Sequence, residues 1–267
     1  RTTPCFVASA FSIVNASLRG KDCMIYFDNA STTPILPDVA NVVTDALLHQ
    51  WGNPSSLHRL GFQAEKAMEE ARGRMAALLG VPANSLLFTT GATEGINTVM
   101  RSVLMQTLQR RFGNEGRVEH SSTGCANDVS NANIVLTAVE HAAVHETAML
   151  FSSFGIDVRF LPVDEEGKIS LSDVERLVDE ETLLVAVMHV NNELGTIFPV
   201  EEVGKVVKNQ SRALYLVDGT QALGKLPVRL SALSCDTYVA SGHKIHAPKG
   251  IGLLYVRPGT TLLPLLT

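Results

Sequence analysis

The chain has 267 residues, of which 45% are hydrophobic, so it can bury a substantial core. Its formal net charge of -5 argues against nucleic acids and anionic membrane surfaces as partners, and no apolar run approaches the roughly 18 residues of a membrane span. The four cysteines form no C-x-x-C pair and no metal-ligand spacing, which favours reduced, mostly buried thiols.

Residues 1–21 contain no acidic residue, carry three basic residues and are rich in Ser, Ala and Thr. This composition is typical of the end of an organellar transit peptide, and an ordinary disordered N-terminus explains it equally well. The two interpretations predict a mitochondrial and a cytoplasmic location, respectively. Because the chain begins with Arg1, we expect the natural start to lie upstream.

Helix-like and strand-like segments alternate from residue 37 onward. Helix-period apolar residues predict helices at 39–48, 64–79, 94–108, 171–178 and 200–207. Short apolar runs predict strands at 86–89, 134–139, 158–162, 183–190, 213–217, 237–240 and 251–256. Residues 110–133 are polar and aperiodic, which indicates a long exposed loop. The alternation predicts an α/β fold, a mainly parallel seven-stranded sheet with helices on both faces.

Polar clusters follow five of the predicted strands. Because the carboxyl ends of parallel strands meet at one edge of a sheet, where ligands bind in α/β folds, we expect the clusters to lie together. They are Thr90 to Glu94, Glu140 with His141, Asn191 to Glu193, Asp218 with Gln221, and Ser241 to Lys244.

The most informative pair is Lys244 and Asp218, which end two neighbouring predicted strands. An amine that can form a Schiff base and an acid for a ring nitrogen suit pyridoxal phosphate (PLP). Lysine attacks an aldehyde only when it is unprotonated, so we expect burial and nearby cations to lower its pKa. A surface lysine and a turn aspartate would explain either residue alone, but the strand context and the pairing favour PLP.

A phosphate-binding turn is predicted where Gly91, Ala92 and Thr93 open a helix. The free backbone N–H groups and the Thr93 hydroxyl can hold a phosphate, although a plain turn with Thr93 as N-cap fits the same residues. The Ser241 hydroxyl and the His243 ring can add contacts, and Ser241 could equally be a cap. The turn lacks a G-K-[ST] ending, so no nucleoside triphosphate site is expected.

Three further side chains are candidates for contacts with the cofactor ring. His141 can stack on the ring and transfer a proton, or it can simply begin a helix. Asn192 and Gln221 can donate hydrogen bonds to the phenolic oxygen, or they can cap loops. His141 and His145 are four residues apart, but the H-E-x-x-H pattern is absent, so no metal site is predicted.

With these residues in view, the chain resembles the NifS/IscS-like cysteine desulfurases of the class V aminotransferase family, a pattern shared by selenocysteine lyases. The resemblance covers about nine-tenths of the chain and lies in the order of its motifs. They are YFDNASTTP at 26–34, WGNPSS at 51–56, FTTGATE at 88–94, EH at 140–141, HVNNELG at 189–195, DGTQALGK at 218–225 and SGHKIHAPKG at 241–250.

The resemblance implies a fold-type I PLP enzyme, usually a homodimer, that converts L-cysteine to L-alanine and leaves a persulfide on a catalytic cysteine. It implies a role for such enzymes in iron-sulfur cluster assembly, with sulfur-acceptor or scaffold proteins as partners. Within the site, it implies that Lys244 carries the Schiff base and serves as proton base, that Asp218 faces the pyridine nitrogen and that His141 covers the ring. Asn192 and Gln221 would approach the ring oxygen, while Ala92, Thr93, Ser241 and His243 hold the phosphate.

The resemblance also divides the chain into segments. Residues 22–36 are expected to associate with a small domain, 37–257 to form the large PLP-binding domain, and 258–267 to begin the small domain. Because the chain stops in an apolar run, we expect a fragment, with the family's substrate-carboxylate arginine and catalytic cysteine beyond residue 267. A selenocysteine lyase, another class V enzyme and a non-catalytic scaffold of the same fold are the alternatives.

Overall fold

The computed structural model describes residues 25–112 and 131–265. The predicted presequence at 1–21, most of the predicted loop at 110–133, and Cys5, Cys23 and Cys125 lie outside the described residues. The helices are α1 (Pro37–His49), α2 (Arg59–Leu79), α3 (Ala92–Phe112), α4 (Ala142–Ser153), α5 (Leu171–Leu177) and α6 (Val200–Gln210). The strands are β1 (Leu86–Thr89), β2 (Asn133–Thr137), β3 (Asp157–Leu161), β4 (Thr182–Met188), β5 (Leu214–Asp218), β6 (Thr237–Ser241) and β7 (Gly252–Val256).

The seven strands form one sheet in the order β1-β7-β6-β5-β4-β2-β3. The pairs from β6 through to β3 are parallel, whereas β7 runs antiparallel to both β6 and β1. β7 reverses direction because the short Lys244 turn returns the chain from β6 without a crossover helix. The predicted mainly parallel seven-stranded α/β fold is confirmed.

The sheet separates two hydrophobic cores, because successive residues of a strand point to opposite faces. On one face, Val135, Val185 and Val217 pack with helices α2, α5 and α6. On the other face, residues such as Ile134 and Leu216 pack with α3 and α4. Both faces are covered, which is why these strands read as continuous apolar runs rather than as alternating patterns.

Helix α4 is the helix whose bounds the sequence analysis did not predict, although it considered His141 as a helix start. Val144, Ala148 and Phe151 lie on one face at helical spacing and are fully buried against α3 and the sheet. The polar residues His145, Glu146 and Thr147 interrupt this short stripe in the sequence. The five predicted helices are present as α1, α2, α3, α5 and α6, and most of them extend by a few residues beyond the predicted bounds. No helix in the described ranges is long and apolar enough to cross a membrane.

Candidate active site

A cleft of about 510 Å³ opens at the carboxyl ends of the parallel strands. All nine residues that the sequence analysis singled out for cofactor contacts line it. They are Ala92, Thr93, His141, Asn192, Asp218, Gln221, Ser241, His243 and Lys244. This volume lies within the range of pockets that bind drug-sized molecules, so the cleft can hold a cofactor of the size of PLP.

One end of the cleft has the features of an anion-binding site. Helix α3 begins there at Ala92, whose backbone N–H donates to Ser241 Oγ at 2.8 Å. Because the Ser241 oxygen accepts that bond, its own hydrogen is free to donate to a ligand. The helix dipole favours negative charge at the same point. Gly252 supports the turn from below, since a Cβ at that position would lie 2.5 Å from the Gly91 Cα.

Lys244 follows β6 and is held by main-chain carbonyls from a distant part of the chain. Its Nζ donates to the carbonyl oxygens of Ala30 at 2.6 Å and Ser31 at 2.7 Å. Burial lowers the pKa of Lys244, while the carboxylates of Asp28 and Asp218 act in the opposite direction. A lowered lysine pKa increases the fraction of free amine, which is the nucleophilic form.

Asp218 ends β5 and is buried beneath the cleft. Its Oδ1 accepts a hydrogen bond from the Thr220 backbone N–H at 2.9 Å. Burial raises the pKa of Asp218, and the contacts with Thr220 and the charges of His141 and Lys244 partly offset that rise. A cation placed beside this carboxyl would stabilise its ionised form.

His141 serves as the N-cap of α4 and also lines the cleft. Its Nδ1 accepts a hydrogen bond from the Ala143 N–H at 3.1 Å, so in the neutral ring the proton lies on Nε2. The helix-start interpretation and the cleft position are therefore compatible. Asn192 reaches the cleft because Asn191 is buried and its Oδ1 caps the following turn, accepting from Glu193 N and Leu194 N.

The Gln221 amide is oriented by two contacts. Its Nε2 donates to the Ala30 carbonyl at 2.7 Å, and its Oε1 accepts from Lys225 Nζ at 2.6 Å. Lys244 and Gln221 thus share the Ala30 oxygen as acceptor. The Lys225 contact identifies Oε1 as the acceptor end of the amide, so the N–H groups lie at the end that meets Ala30, a residue of the cleft wall.

Residues 28–33, which we call the N-terminal strap, form a wall of the cleft that the sequence analysis did not assign. Asp28, Ala30 and Ser31 line the cleft. Thr33 anchors the strap, because its Oγ1 donates to the His243 carbonyl at 2.8 Å and accepts from the His246 N–H at 2.7 Å. The YFDNASTTP motif was the available signal, but no local pattern indicates a partner more than 200 residues away.

The sequence analysis assigned no role to two buried polar groups beside the cleft, although it placed Glu140 in one of the polar clusters. The Thr220 hydroxyl is buried next to Asp218 and has no hydrogen-bond partner among the described residues. The Glu140 carboxyl is buried behind His141 and is in electrostatic contact with Asp218. Neither role is visible in the sequence, because each depends on the register of adjacent strands.

Comparisons with known proteins agree with this geometry. The family model for aminotransferase class-V matches residues 25–131 and 126–266. A cysteine desulfurase of Nostoc sp. is 40% identical over 243 residues, which cover 91% of this chain and 55% of that protein. The chain therefore spans about half the length of the curated relatives that it matches.

Solved structures show the same architecture. A NifS-like protein superimposes with a TM-score of 0.81 at 37% identity, covering 91% of this chain and 61% of the other. SspA in complex with cysteine gives a TM-score of 0.80 at 30% identity, covering 90% of this chain and 64% of the other. The fold is that of these fold-type I enzymes, and the chain belongs to the class V aminotransferase family, where it is similar to the NifS/IscS-like cysteine desulfurases.

Proposed function

We propose that this chain binds PLP in the cleft and acts on L-cysteine, releasing L-alanine and passing the sulfur on as a protein persulfide. The observation that carries the proposal is the convergence of a lysine amine, a buried acid and an anion-binding helix start in one cleft. Enzymes of the family depend on PLP, and the relative SspA is described in complex with cysteine. A homodimer, sulfur-acceptor partners and a mitochondrial or cytoplasmic location stay predictions.

The residues of the cleft fit PLP. Ala92, Thr93, Ser241 and His243 would hold its phosphate, because they line the cleft where α3 begins and the Ser241 hydroxyl hydrogen is free to donate. Asp218 would hold the pyridine nitrogen. When bound, PLP supplies an aldehyde that condenses with amines and a ring that withdraws electrons from the substrate α-carbon.

The remaining chemistry belongs to side chains. Lys244 has a lowered pKa, so its amine can act as nucleophile and then accept the α-proton of the substrate. Asp218 would stabilise a positive charge on the ring nitrogen of the bound cofactor. His141 can donate from Nε2 over the cleft, and Gln221 and Asn192 can donate to an oxygen on the ring.

The sulfur acceptor must be a thiolate. Cys235 is the cysteine that the described ranges contain, and burial raises its pKa to about 12. A thiol of this kind is neutral and inaccessible at physiological pH, so Cys235 is not proposed for this step.

The cofactor assignment is tested by adding PLP to the purified chain, reducing with borohydride and mapping the modified peptide. We expect a stable adduct at Lys244, no adduct in Lys244→Ala, and a normal adduct in Lys249→Ala, which removes an exposed lysine of the same turn. An adduct at another lysine, or none in a folded protein, would refute the assignment.

The substrate is tested by incubating the PLP-loaded chain with L-cysteine, L-selenocysteine or L-serine and measuring L-alanine. Because Cys235 is not proposed as sulfur acceptor, a small-molecule thiol is added for that role. We then expect alanine from L-cysteine in the wild type and none in Lys244→Ala. A strong preference for L-selenocysteine would replace the desulfurase proposal by the lyase alternative, and turnover of L-serine would contradict both.

A further inference from the structure

Glu140 is a half-buried residue whose carboxyl group is fully buried and is not used by the proposed chemistry. It lies between β2 and α4, directly before His141. Its Oε1 accepts two hydrogen bonds, from Thr137 Oγ1 at 2.7 Å and from the Met188 backbone N–H at 2.8 Å. Its Oε2 is buried and has no hydrogen-bond partner among the described residues.

The groups around Glu140 offer no compensating cation. In the described part of the chain, no lysine, arginine or histidine forms an ion pair with it. The carboxylate of Asp218 in β5 interacts electrostatically with Glu140, and Glu140 in turn acts on Tyr215 of the same strand. His189 comes directly after the last residue of β4, Met188. His141, the next residue after Glu140 in the chain, uses its Nδ1 to cap α4.

One residue of β4, Met188, connects Glu140 to Asp218. Met188, which donates its N–H to Glu140, is the register partner of Asp218 across β4 and β5. The two buried carboxyl groups therefore lie at the same edge of the sheet, after β2 and at the end of β5, with the end of β4 between them. Two ionised carboxylates in such a site disfavour each other, so one proton is retained by the pair.

We propose that Glu140 holds that proton and acts as a positioning residue: as a neutral acid it ties the end of β4 to β2 and leaves Asp218 as the ionised partner. This inference rests on the proposed PLP function, because Asp218 must be negatively charged to hold the ring nitrogen. Asp218 is the better anion of the two because it accepts the Thr220 N–H and senses the charges of His141 and Lys244.

The electrostatics agree with this placement of the proton. Burial raises the pKa of Glu140 to about 8, and the Asp218 charge adds to the rise. Loss of the Glu140 proton would place a second negative charge beside Asp218 and would favour protonation of Asp218. The neutral state of Glu140 therefore preserves the charge that the cleft needs.

The test compares wild type with Glu140→Gln, an isostere of the neutral acid that keeps the Oε1 acceptor. The infrared spectrum at pH 7 should contain a protonated-carboxyl band that is missing from the variant and present in Glu146→Gln, an exposed control on α4. Glu140→Gln should fold and bind PLP within about threefold of wild type, because the accepting oxygen is retained. Glu140→Ala should bind PLP at least about tenfold more weakly, because the Met188 and Thr137 donors lose their acceptor.

Either of two results would overturn the proposal. The first is a Glu140→Gln spectrum that loses no acid band at pH 7, which would mean that the native residue is ionised. The second is a Glu140→Gln protein that does not fold, because a neutral isostere should be tolerated. If the acid band is lost as expected but the wild-type chain binds no PLP, the proton assignment stands and the cofactor proposal fails.

Discussion

Gly219 offers a sharp test of how the fold supports the cleft, because it lies directly after Asp218 and against a buried ring. A Cβ at this position would lie 1.9 Å from Tyr238 Cζ and 2.1 Å from both Cε1 and the phenolic oxygen. The backbone of Gly219 is not in the left-handed region, so alanine can adopt its conformation and the cost is purely steric.

The size of the effect follows from the space available. Carbon atoms in ordinary contact are about 3.5 to 4 Å apart, so the phenol ring would have to move by roughly 1.5 Å. Tyr238 is fully buried and its hydroxyl lies 3.3 Å from His189 Nδ1, so the ring has no free space to enter. Overpacking typically costs about 1 to 3 kcal/mol, and we expect Gly219→Ala to lower the free energy of unfolding by about 3 kcal/mol.

A double-mutant cycle measured by urea unfolding tests this reasoning. Tyr238→Ala alone should cost about 3 to 5 kcal/mol, the usual range for removing a buried aromatic ring. In that background Gly219→Ala should be nearly neutral, because the new methyl group enters the space left by the ring. A coupling energy of about 3 kcal/mol is therefore expected. Additive costs, or a single-variant cost below about 1 kcal/mol, would refute the steric argument.

Four further outcomes are expected. Gly73→Ala in α2, where a Cβ meets no atom within 4 Å, should stabilise the protein by about 0.5 to 1 kcal/mol in urea unfolding, and a loss of stability would contradict this. Ser241→Ala should weaken PLP binding about tenfold in equilibrium dialysis, because it removes one donor at the phosphate end; unchanged affinity would exclude that contact. Lys225→Met should weaken PLP binding through loss of Gln221 orientation, and Lys225→Arg should restore much of it; equal affinities in the three proteins would contradict this role. Burial raises the pKa of Glu140 from 4.5 to about 8 in the folded protein. Between these two pH values the folded protein binds one proton more than the unfolded chain, so the free energy of unfolding falls as the pH rises from 4.5 to 8. Relative to Glu140→Gln, wild type should lose up to about 5 kcal/mol between pH 4.5 and 8, and a flat difference would contradict the raised pKa.

The strands were predictable from the sequence because a sheet covered on both faces demands continuous apolar runs. Each of the seven runs became a strand, and the polar clusters that follow five of them met at one edge because those strands share a direction. Strand polarity alone thus brought Ser241, Asp218 and His141 together. The antiparallel direction of β7 was not predicted from the sequence. It depends on the short turn through Lys244 rather than on the residues of the strand itself.

The remaining features depend on contacts that leave no local trace. The Ala30 carbonyl meets Lys244 across more than 200 residues of sequence, and a main-chain oxygen carries no sequence signal. Glu140 became significant only because the register of β4 against β5 places Met188 beside Asp218. Helix α4 escaped prediction because tertiary packing of three apolar residues, rather than a long periodic pattern, stabilises it.

The N-terminal strap has a consequence for the order of assembly during synthesis. Thr33 bonds to His243 across 210 residues, so the strap leaves the ribosome long before its partner exists. At about 5 to 20 residues per second, this separation corresponds to roughly 10 to 40 s of translation. All seven strands lie between residues 86 and 256, so the sheet does not need the strap to form its pairs. We expect the strap to dock only after the sheet has formed, so that the wall beside Lys244 closes last and cofactor capture follows the formation of the sheet.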